Sequence, residues 1–289
     1  PKNMSQNEFN LVECPRDAMQ GLHDFVPTTL KSDYLNLLLQ VGFDTLDFGS
    51  FVSPKAIPQM ADTAEVLSSL DLTNTSTKLL AIVANLRGVE DAVKHEEISY
   101  LGFPFSISET FQQRNTNSSI SQSLNTVEEM LSLCAKNNKI AVIYLSMGFG
   151  NPYGDDWNYE IVEKWADTLV NKGVKVLSLA DTVGVSTPEK IKDILPKLIT
   201  KFSQTEIGIH LHSTPSQRFE KIEAAYNSGV KRIDSALKGF GGCPMAADDL
   251  TGNIATEDVI DFLKSKGEKL NLNLDKWNEA MIFSTKIFG

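Results

Sequence analysis

The 289 residues include 42% hydrophobic and 22% charged side chains, a composition that suits a folded globular protein and is too apolar for a disordered one. The formal charge of −10 is spread without a long acidic or basic run, so no general affinity for nucleic acid or an anionic membrane is expected. No apolar stretch approaches the ~20 residues of a membrane span. The three cysteines, Cys14, Cys134 and Cys243, are an odd number without a CxxC pair, which disfavours a disulfide framework or a cysteine-cluster zinc site and favours a reducing compartment. The polar opening residues contain no apolar signal segment, so a cytoplasmic location is expected, with a removed targeting peptide left open.

Eight β-rich runs follow in order, at 10–17, 43–51, 78–85, 97–106, 139–148, 175–184, 207–214 and 232–239. Helical stretches come after them, typified by 119–137, 156–172, 188–202 and 214–228, where apolar residues recur at spacings of three and four. Ser186-Thr187-Pro188-Glu189 reads as a helix start, with a capping hydroxyl and a proline in the first turn. Eightfold alternation of strand and helix predicts an α/β fold, a single (β/α)8 TIM barrel, because right-handed crossovers place each helix outside a sheet that closes on itself. An open doubly wound sheet would call for a Gly-rich turn after the first strand, and the chain has Pro15-Arg16-Asp17-Ala18 there instead. Residues 1–289 are expected to form one domain, with 239–253 as an active-site loop and 254–289 as a C-terminal helical segment.

Such a barrel carries its chemistry at the carboxyl ends of the strands. Arg16 and Asp17 are expected to close strand one, with Asp47 late in strand two and Asn85 at the end of strand three. Asp181 and Thr182 end strand six, and His210 and His212 end strand seven. After strand eight comes Gly239-Phe240-Gly241-Gly242-Cys243-Pro244. Side chains two apart on a strand share a face, so His210 and His212 can point both imidazoles at one metal ion, or simply sit side by side. Asp181 is either a catalytic carboxylate or a cap before a glycine turn, and Asn253, on its position alone, reads as the N-cap of the last barrel helix. Cys243 lies in a Gly-rich loop in a plausible active position, its plainer reading being a small buried side chain, the role expected of Cys14 and Cys134.

Several segments together resemble the 3-hydroxy-3-methylglutaryl-CoA lyases, within a wider group of metal-dependent barrel lyases and Claisen-type synthases. These are Val12-Glu13-Cys14-Pro15-Arg16-Asp17, Ser50-Phe51-Val52-Ser53-Pro54-Lys55, Asn85-Leu86-Arg87-Gly88, Asp181-Thr182-Val183-Gly184-Val185 and His210-Leu211-His212. The specific part is Gly241-Gly242-Cys243-Pro244 followed by Gly252-Asn253-Ile254-Ala255-Thr256-Glu257-Asp258. The resemblance runs over residues 10–280 and implies cleavage of 3-hydroxy-3-methylglutaryl-CoA to acetoacetate and acetyl-CoA with a divalent cation. It implies metal ligands at Asp17, His210, His212 and Asn253. Mg2+ or Mn2+ suits this mixed oxygen and imidazole set, which also permits Zn2+ or Co2+.

The resemblance further implies that Arg16 stabilises an enolate oxygen, the plainer reading being an ion pair with Asp47 or Glu13. Cys243 would protonate the departing enolate or join a proton relay with Asp181 and His210. An acyl-CoA partner would lie over the rim beyond strands three and four, near Asn85, Ser108, Arg114 and the polar run 112–117. A homodimer is implied as well. Three departures stand out: Ala18 to His23 differ from the family's stretch, Asp47 stands where a glutamate is expected, and Ser213 stands where an aspartate normally follows the second histidine. The spacing from Cys243 to Asn253 is one residue longer. These leave two alternatives, a Claisen-type condensing synthase of the same barrel group and a catalytically weakened metal-binding paralogue.

Overall fold

The computed structural model describes residues 8–242 and 251–289. Cys243 therefore lies outside the described residues, as does most of the loop expected at 239–253. Eight strands form a closed parallel barrel: β1 (Asn10–Glu13), β2 (Thr45–Ser50), β3 (Lys78–Ile82), β4 (Ile98–Ser106), β5 (Ile140–Ser146), β6 (Val176–Asp181), β7 (Glu206–Leu211) and β8 (Arg232–Ser235). The order is β1 through β8, and β8 pairs back onto β1 with Asn10 opposite Arg232 and Val12 opposite Asp234. The fold is the expected (β/α)8 TIM barrel.

Helices surround it in chain order: α1 (Pro15–Gln20), α2 (Thr28–Leu39), α3 (Thr63–Ser68), α4 (Leu86–Ala92), α5 (Glu109–Thr116), α6 (Ile120–Lys136), α7 (Tyr159–Asn171), α8 (Pro188–Lys201) and α9 (Arg218–Asn227). The segment after β8 adds α10 (Thr256–Ser265), α11 (Leu274–Phe283) and α12 (Thr285–Phe288). Among the described residues, no helix is long and apolar enough to cross a membrane. The outward strand faces and the helices share one large apolar core, while a smaller cluster of Leu80, Tyr100, Val142, Tyr144, Val176 and Ala180 fills the barrel interior. This is the layered side-chain filling that makes such a barrel a packed core rather than a pore.

The expected strand ends run too long at several places, and the causes are local. Pro15 begins α1 at once after β1, since a proline at the first helical position has the fixed φ of a helix and no N–H to waste. Arg16 and Asp17 therefore lie in the first turn of a helix and do not close strand one. Asn85 is not the last residue of β3 but the N-cap of α4, its side chain accepting from the Gly88 N–H at 2.9 Å. The run 112–117, expected as a polar loop, falls mostly within α5, capped by Ser108. At the end of β1, buried Glu13 accepts from the Leu237 N–H at 2.8 Å and bonds the Thr256 hydroxyl, tying β1 to the chain after β8 and to α10. Burial pushes its carboxyl up to about 8 despite those two bonds.

Candidate active site

At the carboxyl ends of the strands lies a cavity of about 540 Å³, with Arg16, Asp17, Ala180, Thr182, His210 and His212 in its wall. His210 ends one rung of β7 and His212 follows the strand, two residues on, so both rings face the barrel mouth, 5.3 Å apart between centroids. One oxygen of Asp17 meets them: Oδ2 is 3.3 Å from His210 Nε2 and 3.7 Å from His212 Nε2. The Asn253 amide donates to the same oxygen at 2.9 Å and to the Phe240 carbonyl at 2.8 Å. All four residues are buried. The ligand atoms of Asp17, His210 and His212 lie within 4.8 Å of one another.

The loop after β8 reaches this point because Gly241 has φ +106°, and a Cβ there would lie 2.6 Å from Asn253 Nδ2 and 2.8 Å from the Asp17 carbonyl oxygen. Only a glycine passes so close in that conformation.

The far nitrogens of both rings are engaged. His210 Nδ1 is 2.9 Å from Asp234 Oδ2, and His212 Nδ1 donates to the Thr251 carbonyl at 2.8 Å. Such partners fix the ring orientation and leave Nε2 for the centre of the site, the outer support that metal-binding histidines commonly have. Burial alone would lower the His210 pKa, but the bonds to Asp17 and Asp234 and their charges raise it to about 10. For Asp17, burial acts upward, and the His210 bond with the charges of Arg16, His210 and His212 holds the carboxyl well below the usual carboxylate range. His212 is pushed down, chiefly by burial. Two carboxylates thus favour positive charge at His210 Nε2, and a cation bound there with His212 Nε2 and Asp17 would take the place of the proton, leaving the ring neutral. Cys14, Asp234 and the other side of His210 form a second convergent group. Burial, then the carboxylates around it, keep the Cys14 thiol neutral, and it donates weakly to the Val12 carbonyl, as expected of a buried structural cysteine.

Arg16 is locked beside Asp17. Its Nε and Nη2 bind the two Asp47 oxygens at 3.1 and 2.7 Å, and Nη1 reaches Gln20 Oε1 at 3.0 Å. Asp47 is fully buried and is absent from the cavity wall. It therefore positions Arg16, a role distinct from the catalytic one expected of it. Asp181 is likewise absent from the wall. Its carboxylate accepts from the Val185 and Ser186 N–H groups at 2.9 and 2.8 Å, and Lys221 Nζ lies 3.9 Å away. The carboxylate expected in a proton relay is committed to holding a turn.

Of the residues expected to meet CoA, Asn85 and Arg114 line the cavity, and the Arg114 guanidinium lies 4.7 Å from the centre of the Tyr153 ring. Ser108 does not line it. Its buried hydroxyl donates to Asp155 Oδ2 at 2.6 Å and accepts from the Phe111 N–H at 3.2 Å as the cap of α5, so Ser108 is corrected from a CoA contact to a helix cap. Ser213 turns from the site, its hydroxyl donating to the Thr214 carbonyl at 2.8 Å. The His212 ring is anchored by the Thr251 carbonyl. Sequence reasoning missed Asp234, although it lies opposite His210 in register. The run expected at 232–239 put Asp234 near a strand start, whereas β8 ends at Ser235 and leaves Asp234 close to the mouth.

A closed barrel with a buried carboxylate–imidazole cluster and a paired arginine at its C-terminal mouth defines the class of metal-dependent TIM-barrel enzymes. The profile of the HMGL-like family matches residues 11–282. The chain is 34% identical over 274 residues to the cytoplasmic 3-hydroxy-3-methylglutaryl-CoA lyase of Rattus norvegicus, covering 94% of this chain and 78% of that one. Among solved structures, the HMG-CoA lyase of Bacillus subtilis superposes with a TM-score of 0.90 at 31% identity, covering 98% of this chain and 94% of that chain. An HMG-CoA lyase of Acinetobacter baumannii in complex with coenzyme A and 3-methylmalate gives a TM-score of 0.88 at 29% identity, covering 96% and 91%. The chain belongs to the HMGL-like family of metal-dependent TIM-barrel lyases.

Proposed function

We propose that this protein cleaves 3-hydroxy-3-methylglutaryl-CoA to acetoacetate and acetyl-CoA in a divalent-cation-dependent retro-Claisen reaction. The observation that carries the reading is the convergence of His210 and His212 Nε2 on one Asp17 oxygen, with Arg16 held next to it by Asp47. Asp17, His210, His212 and Asn253 would hold the ion, and Mg2+ or Mn2+ suits their hard oxygen and neutral imidazole donors. When bound, the cation would supply Lewis-acid polarisation of the substrate's tertiary 3-hydroxyl.

In the reaction the hydroxyl proton leaves, the C2–C3 bond breaks, C3 becomes the ketone of acetoacetate, and the electron pair passes to the acetyl-CoA enolate, which is then protonated at carbon. Arg16 is suited to the enolate oxygen. Its forked ion pair with Asp47 fixes the guanidinium before substrate arrives, so little reorganisation accompanies the developing charge. The cation–π contact with Tyr153 likewise fixes Arg114 at the cavity, where a phosphate of CoA is its natural partner. That the A. baumannii relative was solved with coenzyme A supports an acyl-CoA substrate. Cys243 is proposed as the donor of the proton to the enolate carbon.

The test is incubation with 3-hydroxy-3-methylglutaryl-CoA, with and without chelator, while acetoacetate is measured. Chelator-sensitive product that is lost in Cys243→Ser supports the reading. A protein that binds Mn2+ but yields no product contradicts it.

A further inference from the structure

Below the cation-facing histidines, the barrel interior holds a charge that the reaction does not use. Arg232, the first residue of β8, is fully buried, and Gly208 beside it on β7 leaves the room, since a Cβ there would lie 3.0 Å from three Arg232 side-chain carbons. The guanidinium lies 5.3 Å from the centre of the Tyr100 ring, inside the lumen. Its nearest carboxylate contact is Glu206, 3.7 Å from Nη1.

Among the described residues, none accepts a hydrogen bond from Arg232 Nε, Nη1 or Nη2. Of the other buried polar atoms that lack a hydrogen-bond partner among those residues, three belong to this part of the barrel: Tyr144 Oη, Ser178 Oγ and Asp234 Oδ1. Three of the residues that carry these atoms stand with Gly208 in one rung of the sheet, for Tyr144 pairs Ser178, Ser178 pairs Gly208 and Gly208 pairs Arg232. Asp234 is two residues past Arg232 and so shares its inward face. Its other oxygen, Oδ2, holds His210 Nδ1 at 2.9 Å.

Six buried polar atoms without partners would cost more than a folded domain has to spare, so a guest must satisfy them. Asp234 and Glu206 already supply negative charge to Arg232, which disfavours an anion. The set mixes donors with an acceptor, and water is the guest that serves both.

We propose that Arg232, Tyr144, Ser178 and Asp234 enclose buried water, through which Arg232 acts as a positioning residue for Asp234 and, by way of it, for His210. A carboxylate held at both oxygens keeps one orientation, and the ring it supports keeps Nε2 aimed at the centre of the site. This deepens the proposed function, because it rests on His210 as a cation ligand.

The first measurement is a high-resolution crystal structure of the wild-type protein after a bromide soak. Ordered water bridging Arg232 and Asp234 Oδ1 is expected; a dry lumen, or bromide against the guanidinium, overturns the proposal. The second compares wild type with Arg232→Met and Arg232→Lys in two readouts, the imidazole 15N shifts of the metal-free protein and Mn2+ binding followed by electron paramagnetic resonance. Arg232→Met is expected to shift the His210 signals and weaken Mn2+ binding about 10-fold, with partial recovery in Arg232→Lys. Unchanged His210 signals in a folded Arg232→Met protein overturn the proposal. Failure of the wild type to bind Mn2+ counts instead against the proposed function, and the metal-free shifts and the lumen waters still decide the role of Arg232. If Arg232→Met does not fold, the wild-type crystal decides alone.

Discussion

Replacing Glu13 with glutamine is expected to stabilise the protein above pH 5 by an amount that grows with pH. The carboxyl is buried at the end of β1 and its pKa stands at about 8, against 4.5 for the free group. Below pH 4.5 the folded and unfolded chains both hold the proton. Between 4.5 and 8 the unfolded chain has lost it while the folded chain keeps it, so unfolding releases a proton and stability falls as pH rises, levelling off above 8. The interval of about 3.5 pH units, at roughly 1.4 kcal/mol each, sets a ceiling of about 5 kcal/mol on the loss.

The hydrogen bonds agree with a protonated acid. Thr256 has one hydroxyl proton and stands between Glu13 and Ser235 Oγ, the latter at 2.8 Å. A carboxylic acid can donate to Thr256 while Thr256 donates to Ser235. Glutamine keeps this pattern: its amide donates to Thr256, its carbonyl accepts from the Leu237 N–H, and it never ionises. Urea unfolding of both proteins from pH 5 to 8.5 measures the difference, which is expected to be near zero at pH 5 and to reach several kcal/mol at pH 8. Parallel pH dependences, or a Glu13→Gln protein less stable than wild type at pH 8, would refute the reasoning.

Asp47→Asn is expected to cost about 3 kcal/mol in urea unfolding and to lower turnover, because it leaves the buried Arg16 guanidinium without the carboxylate that holds it at two points; a variant with wild-type stability and rate would show that the pair does not fix Arg16. Gly88→Ala is expected to lose about 1–3 kcal/mol, seen as a lowered Tm, since the new Cβ would lie 2.4 Å from the Phe51 carbonyl oxygen, a backbone atom that cannot move aside cheaply. A Tm at or above wild type would contradict that packing. Mn2+ at about 100 times its Kd is expected to stabilise the folded protein by roughly 3 kcal/mol, and Asp17→Asn to abolish the gain; an equal gain in both proteins would place the ion elsewhere.

The alternation of strands and helices was legible because barrel strands are short, buried and β-rich, and the i, i+2 spacing of His210 and His212 places them on one face whatever the exact strand end. The helix beginning at Pro15 was harder to see. Val12 to Asp17 reads as a continuous strand until the proline is given its place at a helix start, and that start is what turns Arg16 and Asp17 toward the mouth together. Ser108, Asn85 and Asp181 illustrate a second difficulty: short polar side chains at strand ends serve caps and turns as readily as ligands, and only coordinates show which N–H groups they accept from. Arg232 and Asp234 illustrate a third. In a barrel strand, alternate residues face the lumen and the helices, both buried, so periodicity does not reveal that a charge points inward. Asp17 was marked by its place after the first strand, but its joining with Asn253, 236 residues away in sequence, came from the family resemblance and not from any local pattern.

Anomalous diffraction from crystals grown with Mn2+ tests the central claim most directly. A single ion bonded to Nε2 of His210, Nε2 of His212 and a carboxylate oxygen of Asp17, beside Asn253 and facing the cavity, is the predicted result. An ion bound away from the two imidazoles, or no ion at the barrel mouth at saturating Mn2+, would contradict the account.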